Sequence, residues 1–131
     1  TPPVALASFA AAGISGANPM QTSMASFKIG LAAFIVPFMF FYNGALLMND
    51  SIPAIAQALI TASAGVYLLS AGVQGWFMNL RTNWLVRSLL IAAAFLMIEG
   101  GGLTDLVGIA TAVLAAGLQK KLGARQLAPT A

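Results

Sequence analysis

Phe27–Met48, FKIGLAAFIVPFMFFYNGALLM, carries a single charge, Lys28, at its very start. At about 1.5 Å of rise per residue, its roughly twenty apolar positions would cover about 30 Å, the thickness of a bilayer's hydrocarbon core. The stretch is apolar all round rather than along one stripe, so a water-soluble fold could not easily hide it as a helix. The expectation is an all-α integral membrane protein.

Composition points the same way. The 131 residues are 60% hydrophobic and only 7% charged, against about 25% charged in an ordinary globular chain. Six Lys and Arg give a net charge of +3, too sparse for a nucleic-acid footprint. The chain has no Cys and no His, which removes thiolate chemistry, disulfides, imidazole bases and the commonest zinc and haem ligands. It opens at Thr1 without a Met, and no basic region precedes an apolar run as in a signal peptide. The expectation is a part of a longer polypeptide.

Working outward from the central stretch, the segment before it is apolar but broken. Pro2 and Pro3 restrict the entry, Val4 to Gly13 is too short to span, and Gly13, Ser15, Gly16, Asn18 and Pro19 make a turn-rich stop. Such a segment is either re-entrant or lies on the membrane surface. Gln21 to Ser26 reads as a polar link. Pro37 falls in mid-span, where it removes one helical hydrogen bond. Asn49 to Pro53 makes the following turn, with Ser51 as the N-cap of the next helix.

Three further apolar segments follow, at about 52–77, 84–98 and 103–118. In the first, Ala58, Ala62 and Gly65 share a helix face and allow close approach of a neighbour; Gly108, Ala112 and Ala116 repeat the device in the last. Gln57, Thr61 and Ser63 are polar within a span and are expected to bond their own backbone or a neighbouring helix. Trp76 and Trp84 belong at the membrane interface, with Arg87 snorkelling back towards headgroups. The run Gly100–Gly102 lacks the GK[ST] end and preceding strand of a phosphate loop and reads as a turn.

The charges sort by loop. Lys28 precedes the first span, Arg81 and Arg87 lie between the second and third, and Lys120, Lys121 and Arg125 follow the fourth. Asp50, Glu99 and Asp105 occupy the two alternate loops, which hold no Lys or Arg. The positive-inside rule then puts both termini in the cytoplasm. All three carboxylates fall at segment ends and read as solvated interface residues. No nucleophile, haem or dinucleotide motif is present, so the chain is not expected to be an enzyme. No cofactor is evident from the residues.

Two blocks in order, Thr1-Pro2-Pro3-Val4-Ala5-Leu6-Ala7 with Ala11 to Met20, and Lys28 to Phe40 (KIGLAAFIVPFMF), resemble the C-terminal end of the large membrane subunit of tripartite ATP-independent periplasmic (TRAP) transporters. It looks most like the fused permeases that pair with TAXI-class periplasmic binding proteins. It covers residues 1–50; residues 51–131 are similar to the helical extension that follows in such permeases. The resemblance implies a bacterial inner-membrane location and ion-coupled symport of an organic anion delivered by a periplasmic binding protein. It also implies sodium as coupling ion in the full transporter, with Thr1 and Val4 as neighbours of a sodium site. The substrate site would lie upstream, in the remainder of the permease. The alternative is a free-standing, transporter-derived accessory subunit of a larger membrane complex, respiratory or photosynthetic, its small-residue seams serving docking and lipid contact. The fold expected under either is about four transmembrane helices preceded by the short apolar segment.

Overall fold

Small and straight-chain apolar residues favour helix, and Asn, Pro and Gly mark where each helix starts and stops. A computed structural model describes residues 5–127, with side chains through Leu122 apart from that of Ala32. It contains helices α1 (Leu6–Ser15), α2 (Pro19–Tyr42), α3 (Ile52–Gln74), α4 (Trp84–Glu99) and α5 (Gly102–Leu127). A single-turn 3-10 helix, Gly44–Leu47, follows α2, and a small hairpin of β1 (Trp76–Phe77) and β2 (Leu80–Arg81) joins α3 to α4. Three helical stretches, Pro19–Tyr42, Ile52–Gln74 and Gly102–Leu122, are long and apolar enough to cross a membrane, which suggests a membrane location.

The first long helix is displaced from its expected bounds of 27–48. It begins at Pro19, because Asn18 is a strong N-cap: its side-chain oxygen accepts from the Met20 and Gln21 amides at 3.0 and 3.3 Å. The residues read as a polar link, Gln21 to Ser26, are therefore helical, and Lys28 lies inside α2 rather than ahead of it. The helix runs through Pro37 and stops at Tyr42. There the Asn43 side chain accepts from the Ala45 amide at 3.1 Å and starts the 3-10 turn instead. The short apolar segment forms α1, which reverses at Gly16 (φ 70°) and packs back on α2, with Ser8 Oγ donating to Ser26 Oγ at 3.0 Å.

The core is the antiparallel trio α3–α4–α5, with α4 in the middle. Val86, Leu90, Ala93 and Ala94 of α4 have no exposed surface. Small residues on either side let the backbones approach. A Cβ added to Gly65 would sit 3.1 Å from the Ala94 carbonyl, and one on Gly108 would sit 3.2 Å from the Ala93 carbonyl. Because Gly65 meets Ala94 and Ile98 while Gly72 meets Arg87 and Ile91, α3 and α4 run in opposite directions. The second apolar segment ends at Gln74 rather than residue 77. Gly75 takes φ 73° as its C-cap, and the chain turns into the β-hairpin. Met78 and Asn79 both have positive φ there, 52° and 62°, the two-residue hairpin geometry that matches strand twist.

Candidate functional site

Two clusters of polar groups, one at each end of the α3–α4–α5 trio, hold the side chains that could carry function. The first is built on Asp105. Gly101 precedes α5, and its amide donates to Thr104 Oγ1 at 2.9 Å, an arrangement like a capping box that fixes the helix start. Asp105 follows in the first turn of α5. It was expected to be a solvated interface residue. Instead it is 4% exposed, because α3 passes over it and Gln57 Nε2 donates to its Oδ2 at 3.1 Å. The other oxygen, Oδ1, is buried with no hydrogen-bond partner among the described residues. Leaving such an acceptor unsatisfied costs about 1–3 kcal/mol, and more when it is charged.

Asp105 lines a cavity of about 240 Å³ together with Asn43, Asp50, Gln57, Gly100 and Gly102. These residues come from the ends of α2, α3, α4 and α5, which is why no single segment announces the site. Gly100 is needed there twice over: its φ is +75°, and an added Cβ would collide with the Asn43 side-chain amide. Asp50 is exposed, and its Oδ1 accepts from the Ser51 amide at 2.7 Å. Ser51 is the N-cap of α3 by position but makes no side-chain capping bond. Glu99, the third carboxylate, ends α4 and is exposed beside an apolar groove with Phe38, Tyr42 and Phe95. Among the described residues no three acidic side chains gather as a metal cage.

The second cluster corrects the reading of Arg87. Rather than reaching out to headgroups, its guanidinium is half-buried and turned onto the end of α3. Nε donates to the Gly72 carbonyl at 2.9 Å and Nη2 to the Val73 carbonyl at 3.0 Å. The last carbonyls of α3 have no partners within their own helix, and a cation also suits that negative dipole end. Gln119 is 2% exposed and donates from Nε2 to the Arg81 carbonyl at 3.2 Å, tying α5 to the hairpin. No sequence signal singles out Gln119. Trp76, Arg81 and Trp84 are exposed around this cluster, as are Lys120 and Lys121.

The remaining candidates separate. Ala58, Ala62, Gly65 and Gly108 are buried, while Ala112 and Ala116 are half-buried and flank Ala115, which is wholly covered. Thr61 and Ser63 bond carbonyls of their own helix, at 3.1 Å to Gln57 and 2.7 Å to Leu59. Lys28 is exposed on α2, away from both clusters. Thr1 and Val4 lie outside the described residues. No family model, curated protein or solved structure matches the chain.

Proposed function

We propose that the chain is the C-terminal membrane portion of a TRAP-type permease, acting within the full transporter in ion-coupled uptake of an organic anion. The observation that carries this reading is the TPPV and AFIVPF blocks in order, and the short helix α1 between them in sequence supports it. The ten residues of α1 reverse at Gly16 onto α2, the kind of interrupted element that transporters use at membrane depth.

In the same reading the bundle crosses the membrane four times. Gln57 lies level with Asp105, so α3 and α5 point the same way. If both cross, α4 must return between them although its 16 residues cover only about 24 Å. Asp50, Glu99 and Asp105 then gather on one side, and Arg81, Arg87, Lys120 and Lys121 on the other, which the positive-inside rule makes cytoplasmic along with both termini. The membrane is the bacterial inner membrane, and the partners are the rest of the permease and a periplasmic binding protein.

A second reading, a transporter-derived accessory subunit of a larger membrane complex, is favoured by one observation. Phe34, Phe38, Phe41 and Tyr42 stand exposed along α2 with little of this chain against them. The intact mass of the polypeptide in solubilised membranes separates the two. A chain several-fold heavier than 13.4 kDa, with anion uptake that needs both a cation gradient and the binding protein, supports the permease. A 13.4 kDa chain travelling inside a larger assembly overturns it in favour of the subunit.

A further inference from the structure

We propose that Asp105, Gln57 and Asp50 form an oxygen-lined binding site for a small hard cation where the ends of α2, α3, α4 and α5 meet. The proposal rests on the geometry of this cavity and holds whether or not the chain belongs to a transporter.

The demand for a cation comes from Asp105. It is almost wholly buried, one carboxylate oxygen is taken by Gln57, and the other is buried without a partner among the described residues beside a cavity of about 240 Å³. A buried carboxylate needs a counter-charge or full hydrogen bonding. Among the described residues no Lys or Arg lines this cavity.

The donor set decides the class of ion. Gln57 must present its amide nitrogen to Asp105 Oδ2, because a carboxylate only accepts; its Oε1 is left free to bind a cation. Asp50 uses Oδ1 on the Ser51 amide and keeps its second oxygen. At Gly100 the left-handed cap ends α4 beside the cavity, bringing the negative end of that helix close. All of these ligands are oxygen, and the chain has neither Cys nor His, so the site suits sodium or calcium rather than a transition metal. At roughly 30 Å³ per water, the cavity has room for an ion that keeps several of its waters.

The test uses the full chain purified in detergent. Its thermal unfolding midpoint, followed by circular dichroism, is titrated with sodium chloride against choline chloride at fixed ionic strength, and separately with calcium chloride. Calorimetry with each metal salt alone gives the affinity. The expected result is a saturable rise in midpoint with sodium or with calcium that choline does not reproduce. Which cation acts tells the monovalent from the divalent site. Asp105→Asn, nearly isosteric, abolishes the rise, and Asp50→Asn, at an exposed position, weakens the affinity at least tenfold. Equal responses to choline and to the metals overturn the proposal, as does an undiminished response in Asp105→Asn. If Asp105→Asn does not fold, Asp50→Asn decides: unchanged affinity there overturns it.

Discussion

Gln57 Nε2 and Asp105 Oδ2 lie 3.1 Å apart, joining the start of α3 to the start of α5 across 48 positions of sequence. Hydrogen bonds to charged groups contribute about 1.5–3 kcal/mol, and removing one partner also strands the other. Gln57→Leu leaves both oxygens of a buried carboxylate without a donor among the described residues. We expect a loss of about 2–3 kcal/mol, read as a lower denaturant midpoint in detergent. In Asp105→Asn the charge is gone, so adding Gln57→Leu to it should cost clearly less than the single change does in the wild type. That non-additivity is the measurement that identifies the pair.

At the other end, the Arg87 guanidinium closes α3 by donating to the Gly72 and Val73 carbonyls. Arg87→Met keeps much of the aliphatic stem but removes both donors, and should destabilise by about 2–3 kcal/mol. Arg87→Lys retains the charge at the helix end but not the planar fork, so it should recover only part of the loss. A headgroup-anchoring arginine would behave differently, with Lys and Arg nearly equivalent. Thermal melts of the three proteins in one detergent distinguish the roles.

The α3–α4 contact depends on the absence of a side chain at Gly65, whose added Cβ would sit 3.0 Å from Ile98 Cγ1 and 3.1 Å from the Ala94 carbonyl. Gly65→Ala asks Ile98 to shift but leaves the backbone oxygen in the way, for a cost of about 1–3 kcal/mol. Gly117 has open space around it, so Gly117→Ala should be neutral or slightly stabilising through helix propensity. Equal effects at the two positions would show that α3 and α4 do not pack this way.

The route of the chain across a membrane can be read directly, because there is no native Cys to interfere. Single cysteines replacing Asn49, Asn79 and Gly101 mark the α2–α3, α3–α4 and α4–α5 connections. Four crossings place Asn79→Cys on the opposite side from the other two, so an impermeant thiol reagent should label it from the other face of sealed vesicles. Labelling of Asn79→Cys and Gly101→Cys from the same face would show that α4 does not cross.

The helical character, the long apolar stretches and the close-approach glycines were legible in the sequence because each is a local property. Hydropathy over twenty residues, a cap residue ahead of a helix, or small residues on one face need no knowledge of distant chain. The bounds of α2 were less legible. Hydropathy alone centred it on Phe27–Met48, but the Asn18 cap and the turn started by Asn43 moved it to Pro19–Tyr42. Both asparagines were visible; how strongly each would bond its neighbouring amides was not. The hairpin carried no Asn-Gly or Asp-Gly signal, and Met78 and Asn79 take up its positive φ angles instead.

What the sequence determined by itself is the kind of helix this chain makes, since apolar length and sparse charge depend only on composition along the chain. Tertiary structure alone decided that Asp105 is buried, that Gln57 reaches it and that Arg87 serves α3. A first-turn acid looks solvated and a basic residue at a span's end looks anchored until a neighbouring helix is laid across it. Those roles are set by unsatisfied groups on other segments, such as the Gly72 and Val73 carbonyls, and packing three helices together is what brings them within hydrogen-bonding reach.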